Sequence, residues 1–283
     1  MGKLGVVDAF DVNAVGNDSH LQVTNWTVAS NGAYDYAADT RGYTFGVIVE
    51  YDTPTWSLRG AEALMPTVAN GITLDWHVGR ARGENLELER RPVAAVVLRL
   101  HGYANHANMG SYAEAIEGFR TGHDPTPNVE SYRVEGRTKY GLGANLEYSL
   151  PHGVRTFART GWNSGDTESF AYTEVNDTAA VGGDVGRNLW RRPTDRAGVA
   201  LVSNGLSAAH IEYLRLGGLG FLLGDGSLAT AARRSSRATT RRMSGEVYSY
   251  PPVPNSLLIP DTTATGGRHW FRWDVFMWTF DEP

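Results

Sequence analysis

Hydrophobic and polar positions alternate along much of this chain. Tyr43, Phe45, Val47, Val49 and Tyr51 share one parity, and Thr44, Gly46, Ile48 and Glu50 share the other. Period two predicts a strand with one apolar and one more polar face. The turn Asp52-Thr53-Pro54-Thr55 follows, and Trp56 opens a second strand with Leu58 and Leu64 on its apolar parity. The hairpin so formed puts Tyr51 beside Trp56. Glu62 falls on the apolar parity, which predicts either a place at an outer interface or a bulge that flips the register.

The clearest hairpin spans 140–162. Tyr140, Leu142, Ala144, Leu146, Tyr148 and Leu150 alternate with Gly141, Gly143, Asn145, Glu147 and Ser149. Pro151-His152-Gly153 is the turn. On the return, Val154, Thr156, Ala158, Thr160 and Trp162 alternate with Arg155, Phe157, Arg159 and Gly161. A loop at 150–154 pairs Tyr148 with Thr156 and Leu142 with Trp162. It also sets Glu147 diagonal to Arg155 and Arg159, where charges can pair. Two further alternating runs begin at Val96 and Val199. Short helical patches are predicted at Ser111–Phe119 and Ser207–Leu214, each opened by a Ser suited to N-capping. The pattern has no βαβ alternation and no fixed-period repeat.

Alternating strands build soluble sandwiches and barrels as well as membrane barrels. Three features favour the membrane. The spans match the ~9–11 residues of a tilted membrane strand. Aromatics sit at strand ends. Short turns (52–55, 151–153) alternate with long polar loops (30–42, 163–168), as periplasmic turns alternate with extracellular loops.

Composition narrows the reading. Hydrophobic residues make up 41% and mean hydropathy is −0.33, so no run approaches the ~20 apolar residues of a membrane helix. The chain has 33 Gly, 8 Trp, 13 Tyr and no Cys, which removes disulfide and thiolate chemistry. A net charge of −5 argues against a nucleic-acid partner. No G-x-S-x-G, P-loop or H-E-x-x-H motif occurs. The histidines are scattered, and neither a metal nor a cofactor is expected. Asn25-Trp26-Thr27 fits a glycosylation sequon. Acidic pairs are too many to single out a glycosidase dyad.

Several segments resemble the carbohydrate-selective (OprB-type) porins. They are Gly2-Lys3 with Asp8-Ala9-Phe10-Asp11-Val12-Asn13, then Asn31–Gly46 (NGAYDYAADTRGYTFG), Leu64–Gly71, Ala81–Glu87 and Met109–Ala115. Lys139–Asn145, Ala158–Glu174, Trp190–Pro193 and Gly217–Gly226 continue the series. The resemblance runs in order over about residues 2–227. It implies an all-β fold, part of a roughly 16-stranded antiparallel transmembrane β-barrel with short loop helices. It also implies a bacterial outer-membrane location and passive diffusion of small sugars rather than catalysis. Outer-membrane lipid is the implied partner, and homo-oligomer formation by the parent protein stays open. The rival reading is a soluble or periplasmic β-rich sugar-binding module or glycosidase.

The chain departs from the family at both ends. Family members carry a signal peptide and several strands before the Gly2-Lys3 segment, so Met1 is expected to start inside the barrel. After Gly226 the pattern changes to Arg233, Arg234, Arg237, Arg241 and Arg242 among small residues. Read in a shifted frame, Pro254–Arg268 can encode QFIANPGYNRDRGP, like the family's closing motif. The expected organisation is therefore a porin region over 1–227 and an out-of-frame, non-native tail over 228–283.

The resemblance makes inward-parity residues the candidate pore lining: Glu50, Arg99, His101, Tyr103, Glu147, Arg155 and Arg159. Asp39 and Arg41 join them from a loop able to fold over the pore. The same residues also fit a structural charge ladder bracing the wall. The expected membrane-girdle aromatics are Tyr43, Tyr51, Trp56, Tyr140, Tyr148 and Trp162.

Overall fold

A computed structural model of the chain describes residues 1–23, 25–186 and 196–221, together with the backbone of strands at 240–242 and 273–280. Nine strands follow one another as an antiparallel meander: β1 (Gly2–Leu4), β2 (Thr44–Asp52), β3 (Trp56–Leu64), β4 (Arg82–Val93), β5 (Val96–Gly110), β6 (Arg133–Ser149), β7 (Val154–Asn163), β8 (Asp177–Val185) and β9 (Arg196–Gly205). Two more extend the sheet. β11 (Trp273–Phe280) pairs antiparallel with β9, and β10 (Thr240–Arg242) runs parallel to β11. Among the described residues the sheet is open, with β1 and β10 at its edges. Apart from these two strands, the expected tail at 228–283 lies outside the described residues.

The period-two pattern explains the sheet. In β2 the parity of Phe45, Val47, Val49 and Tyr51 faces outward, Val49 being 67% and Tyr51 64% exposed. Leu58, Leu86, Leu88, Leu100, Leu142 and Leu146 continue that exposed apolar face across β3–β6. A contiguous exposed apolar face of this kind marks an interaction surface. The expected register of the 140–162 hairpin is present: Tyr148 pairs with Thr156 and Leu142 with Trp162. The turn between them passes through His152 and Gly153, both at positive φ (64° and 78°).

The aromatics expected to form a girdle sit at the two ends of this face. Tyr51 and Trp56 lie 5.5 Å apart across the β2–β3 turn, and Tyr148 stands at the same, short-turn end. At the long-loop end Tyr140 meets Trp162 at 5.8 Å, and Tyr43 lies beneath Lys3 Nζ, 4.6 Å from the ring centre. Tyr140 and Tyr148 are about 26 Å apart along the strand at ~3.3 Å per residue, the scale of an apolar band ~25 Å tall. Glu62 faces outward without any bulge, in unbroken register with Val47 and Glu84. It lies at the long-loop rim, where Glu84 also bonds Arg82 (2.7 Å). That is the outer-interface alternative of the two.

The helices are short and belong to loops. α1 (Trp26–Ala29) is capped by Asn25, α2 (Tyr112–Arg120) by Ser111 and α3 (Ala208–Arg215) by Ser207. α2 and α3 pack together through Tyr112, Ile116, Tyr213 and Leu214 at the long-loop end. No described helix is long and apolar enough to cross a membrane.

Both expected polar loops differ from expectation: 163–168 is largely buried, with Asn163, Thr167 and Glu168 at 1%, 4% and 6% exposure, and 30–42 departs further. Residues 30–39 are buried throughout, not displayed as an exposed polar loop. The chain leaves β1, runs along the inner face of the sheet as residues 5–43, and returns to the neighbouring strand β2. Its Val6, Phe10, Tyr34 and Tyr36 pack on Met65, Tyr103, Ala107 and Met109 of the wall region and on Phe170 and Tyr172 of the β7–β8 loop. Its Val15, Val23 and Val28 pack on Phe157, Ala180, Ala200 and Val202.

Candidate functional site

Away from the rims, charge concentrates on the inner face. Because alternate residues point inward, each strand from β2 to β9 delivers at least one charged side chain at a similar level, and the signs alternate. Arg59 on β3 meets Glu50 on β2 (3.0 Å) and both Glu87 (2.8 Å) and Glu89 (3.2 Å) on β4. Arg99 on β5 bonds Glu89 (2.8 Å) on one side and Glu147 of β6 on the other. Further along, Arg155 of β7 and Arg196 of β9 (2.6 Å) close on Asp184 of β8. Cross-strand neighbours of opposite sign stabilise the sheet. Their mutual pairing also leaves the wall nearly charge-compensated while still rich in hydrogen-bonding groups.

The 5–43 segment is held against this wall by buried polar pins. Arg159 donates to the carbonyls of Val28 (2.8 Å), Asp11 (3.0 Å) and Gly16 (3.1 Å), and its Nε lies 3.2 Å from the Asp11 carboxylate. The Asp11 backbone N–H donates to Glu87 (2.7 Å), and Asn13 donates to Asn145 (2.7 Å). The Tyr103 hydroxyl donates to Ala33 O (2.9 Å), and Tyr34 donates to Asn85 (2.5 Å). Deepest of all, Lys139 of β6 lies 3.2 Å from Asp35. The same carboxylate accepts the backbone N–H groups of Phe170 (2.9 Å) and Ala171 (3.0 Å) from the β7–β8 loop. Buried charges persist only when paired and hydrogen-bonded in this way.

The candidate lining residues therefore fall into three places. Glu50, Arg99, Glu147 and Arg155 stand in the alternating belt. His101, Tyr103 and Arg159 lie beneath the inward segment, with the Tyr34 ring 4.1 Å from that of His101. Arg41 Nε and Nη2 both donate to Asp39 Oδ2 (3.0 and 2.6 Å) where the segment rejoins the wall. Burial raises the Asp39 carboxyl pKa, but the Arg41 side chain and the N–H groups of Arg41 and Tyr43 outweigh it and hold the group below its ordinary value. The expected diagonal pairing of Glu147 with Arg155 and Arg159 does not form. Each has another partner: Arg99 for Glu147, Asp184 for Arg155 and Asp11 for Arg159.

Several contributors escaped the sequence reading: Arg59, Glu87, Glu89, Asp184 and Arg196 in the belt, and Asp11, Asp35 and Lys139 in the pins. Glu87 and Glu89 had a usable signal, since Leu86 and Leu88 alternate with them. The buried Asp35–Lys139 pair, far apart in sequence, had none.

A notch of about 470 Å³ opens elsewhere, lined by Leu58, Leu86, Leu88, Leu100, Gly102 and Leu142. Those leucines belong to the outward apolar face, so the notch opens on the outer side of the sheet.

Comparison with known proteins gives a consistent picture. Residues 1–260 match the family model described as carbohydrate-selective porin, OprB family. A solved structure of OprB from Pseudomonas putida at high pH superposes with a TM-score of 0.56 at 15% sequence identity, over 76% of this chain and 52% of that one. The chain thus spans about half the length of that solved porin. No curated protein sequence matches it.

Proposed function

Because this chain belongs to the carbohydrate-selective porin, OprB family, we propose that it forms part of an outer-membrane channel wall through which small, uncharged carbohydrates diffuse passively. One observation carries the reading: the sheet is apolar outside and polar, with paired charges, inside. An apolar outer face between aromatic girdles fits a protein that sits in lipid. An inner face of carboxylates, guanidiniums and amides offers sugar hydroxyls many weak partners. Conduction needs such weakness, since a solute must leave as readily as it enters. Charges already paired to one another exert little net field on the passage, which favours neutral solutes over ions. Outer-membrane lipid is the surrounding partner in this reading, and the wall needs no bound cofactor to act.

The inward 5–43 segment narrows the space the wall encloses, which favours monosaccharides over longer chains. Liposome swelling tests this. The protein reconstituted into liposomes should give fast swelling in glucose, slower swelling in disaccharides of the same osmolarity, and none with empty vesicles. Absence of sugar-dependent swelling by a reconstituted, folded protein would refute the channel reading.

A further inference from the structure

Trp26 does not fit the pattern of the inward segment. Its neighbours Thr27, Val28 and Ala29 are buried, yet Trp26 is 52% exposed. Helix geometry accounts for the difference. Successive residues are offset by about 100°, so Trp26 lies about 200° from Val28 around the axis of α1. Val28 packs on Phe157, Ala180, Ala200 and Val202, which form the inner face of β7–β9. Trp26 consequently points away from the wall.

The indole is also fixed in orientation. It stacks on Tyr172 at 6.2 Å between ring centres and 11° between planes. The Tyr172 hydroxyl in turn donates to the carbonyl of Trp26 itself. Behind Tyr172 the rings continue through Tyr36 (5.1 Å), Tyr34 (5.7 Å) and Tyr103 (5.2 Å), all buried. The indole therefore lies beside a buried aromatic row while about half of its surface stays exposed. Polar groups sit beside it. The Asn25 side-chain oxygen accepts from the backbone N–H and hydroxyl of Thr27 (both 2.8 Å), and among the described residues its amide nitrogen has no acceptor. Asn204 donates to the Thr27 hydroxyl (3.0 Å) at the same corner.

We propose that the exposed surface of Trp26 is a stacking platform for a pyranose ring, a saccharide contact separate from the charged belt. The C–H bonds on one side of a pyranose carry partial positive charge and meet the negative face of the indole π system. The ring hydroxyls at its edge reach the Asn25 amide. The platform is already rigid, so little ordering is lost when sugar arrives. The inference rests on the reading that this wall encloses a sugar passage.

The test uses purified, folded protein, with glucose as the probe. Glucose should change the tryptophan fluorescence of the wild type. The change should vanish in Trp26→Leu and persist in Trp76→Phe, which alters another well-exposed tryptophan (67%) in the β3–β4 loop. In liposomes, Trp26→Leu should raise the half-saturating glucose concentration about threefold to tenfold, the range expected for loss of one aromatic stack. Trp26→Phe, which keeps an aromatic face, should restore most of it. A glucose response and half-saturation unchanged in Trp26→Leu would overturn the platform while leaving the channel reading intact. Wild-type protein that shows the Trp26-dependent fluorescence change but no swelling would support the platform and sink the channel reading instead.

Discussion

Replacing Asp35 with Asn separates a segment that is pinned to the wall from one that merely rests on it. Asp35 and Lys139 are 1% and 0% exposed in their side chains and 3.2 Å apart. At an effective dielectric constant of ~20 their attraction is about 5 kcal/mol. Desolvation offsets part of that gain, and removal of one partner from a buried pair costs about 3–5 kcal/mol, because the other is left uncompensated. Asn keeps the shape and a carbonyl for the N–H groups of Phe170 and Ala171, so the loss is mainly electrostatic. If the pair pins the segment, local opening of 31–39 becomes easier by the same amount. Opened molecules then rise by about a hundredfold to a few thousandfold, at 1.4 kcal/mol per decade. Native-state hydrogen exchange of the buried 31–39 amides reads that population directly. The double variant Asp35→Asn/Lys139→Met removes the orphaned cation and should recover much of the protection. Unchanged exchange in Asp35→Asn, or a double variant as weak as the summed singles, would refute the pinning.

Arg99→Gln leaves Glu89 and Glu147 short of a cation, so the channel should become more cation-selective, read as a shifted reversal potential across a planar bilayer in a salt gradient. Gly161→Ala drives a Cβ into the Asn31 side chain. It should cost about 1–3 kcal/mol in urea unfolding, whereas Gly79→Ala, with open space around it, should be silent. His210 in α3 is buried against Tyr112 (4.4 Å) with Nδ1 3.1 Å from Asn176. Burial, helped by the charge of Lys139, lowers its pKa to about 3. A depressed folded value favours the neutral ring, so its contribution is complete above pH ~6.5. It falls away as pH drops towards 3, by at most ~1.4 kcal/mol per unit. Amide exchange in Ala208–Arg215 should accelerate over that window, and His210→Gln should flatten the profile.

Some of this was readable from the chain alone. A strand shows its two faces directly in its sequence, because side chains alternate by geometry. Tyr51 beside Trp56, the Tyr148–Thr156 register and the Ser caps of α2 and α3 all follow from local pattern and turn length. The inward side of the wall was readable as a parity but not as a set of partners. Glu147 has Arg155 and Arg159 nearby in sequence, yet its ion partner is Arg99, delivered by the strand on its other side.

Sequence alone set the local layer: which residues form strands, which parity is apolar and faces outward, and which aromatics stand at strand ends. Each depends on spacing within one strand or one hairpin. The tertiary fold alone turns residues 5–43 inward and brings Asp35 and Asp11 onto the cations of the inner face. Those outcomes depend on contacts between residues more than a hundred positions apart, such as Asp35 with Lys139 and Asp11 with Arg159. A polar loop looks the same in sequence whether water or a charged wall satisfies its backbone. The difference appears only when the wall is built and its buried polar groups must find partners.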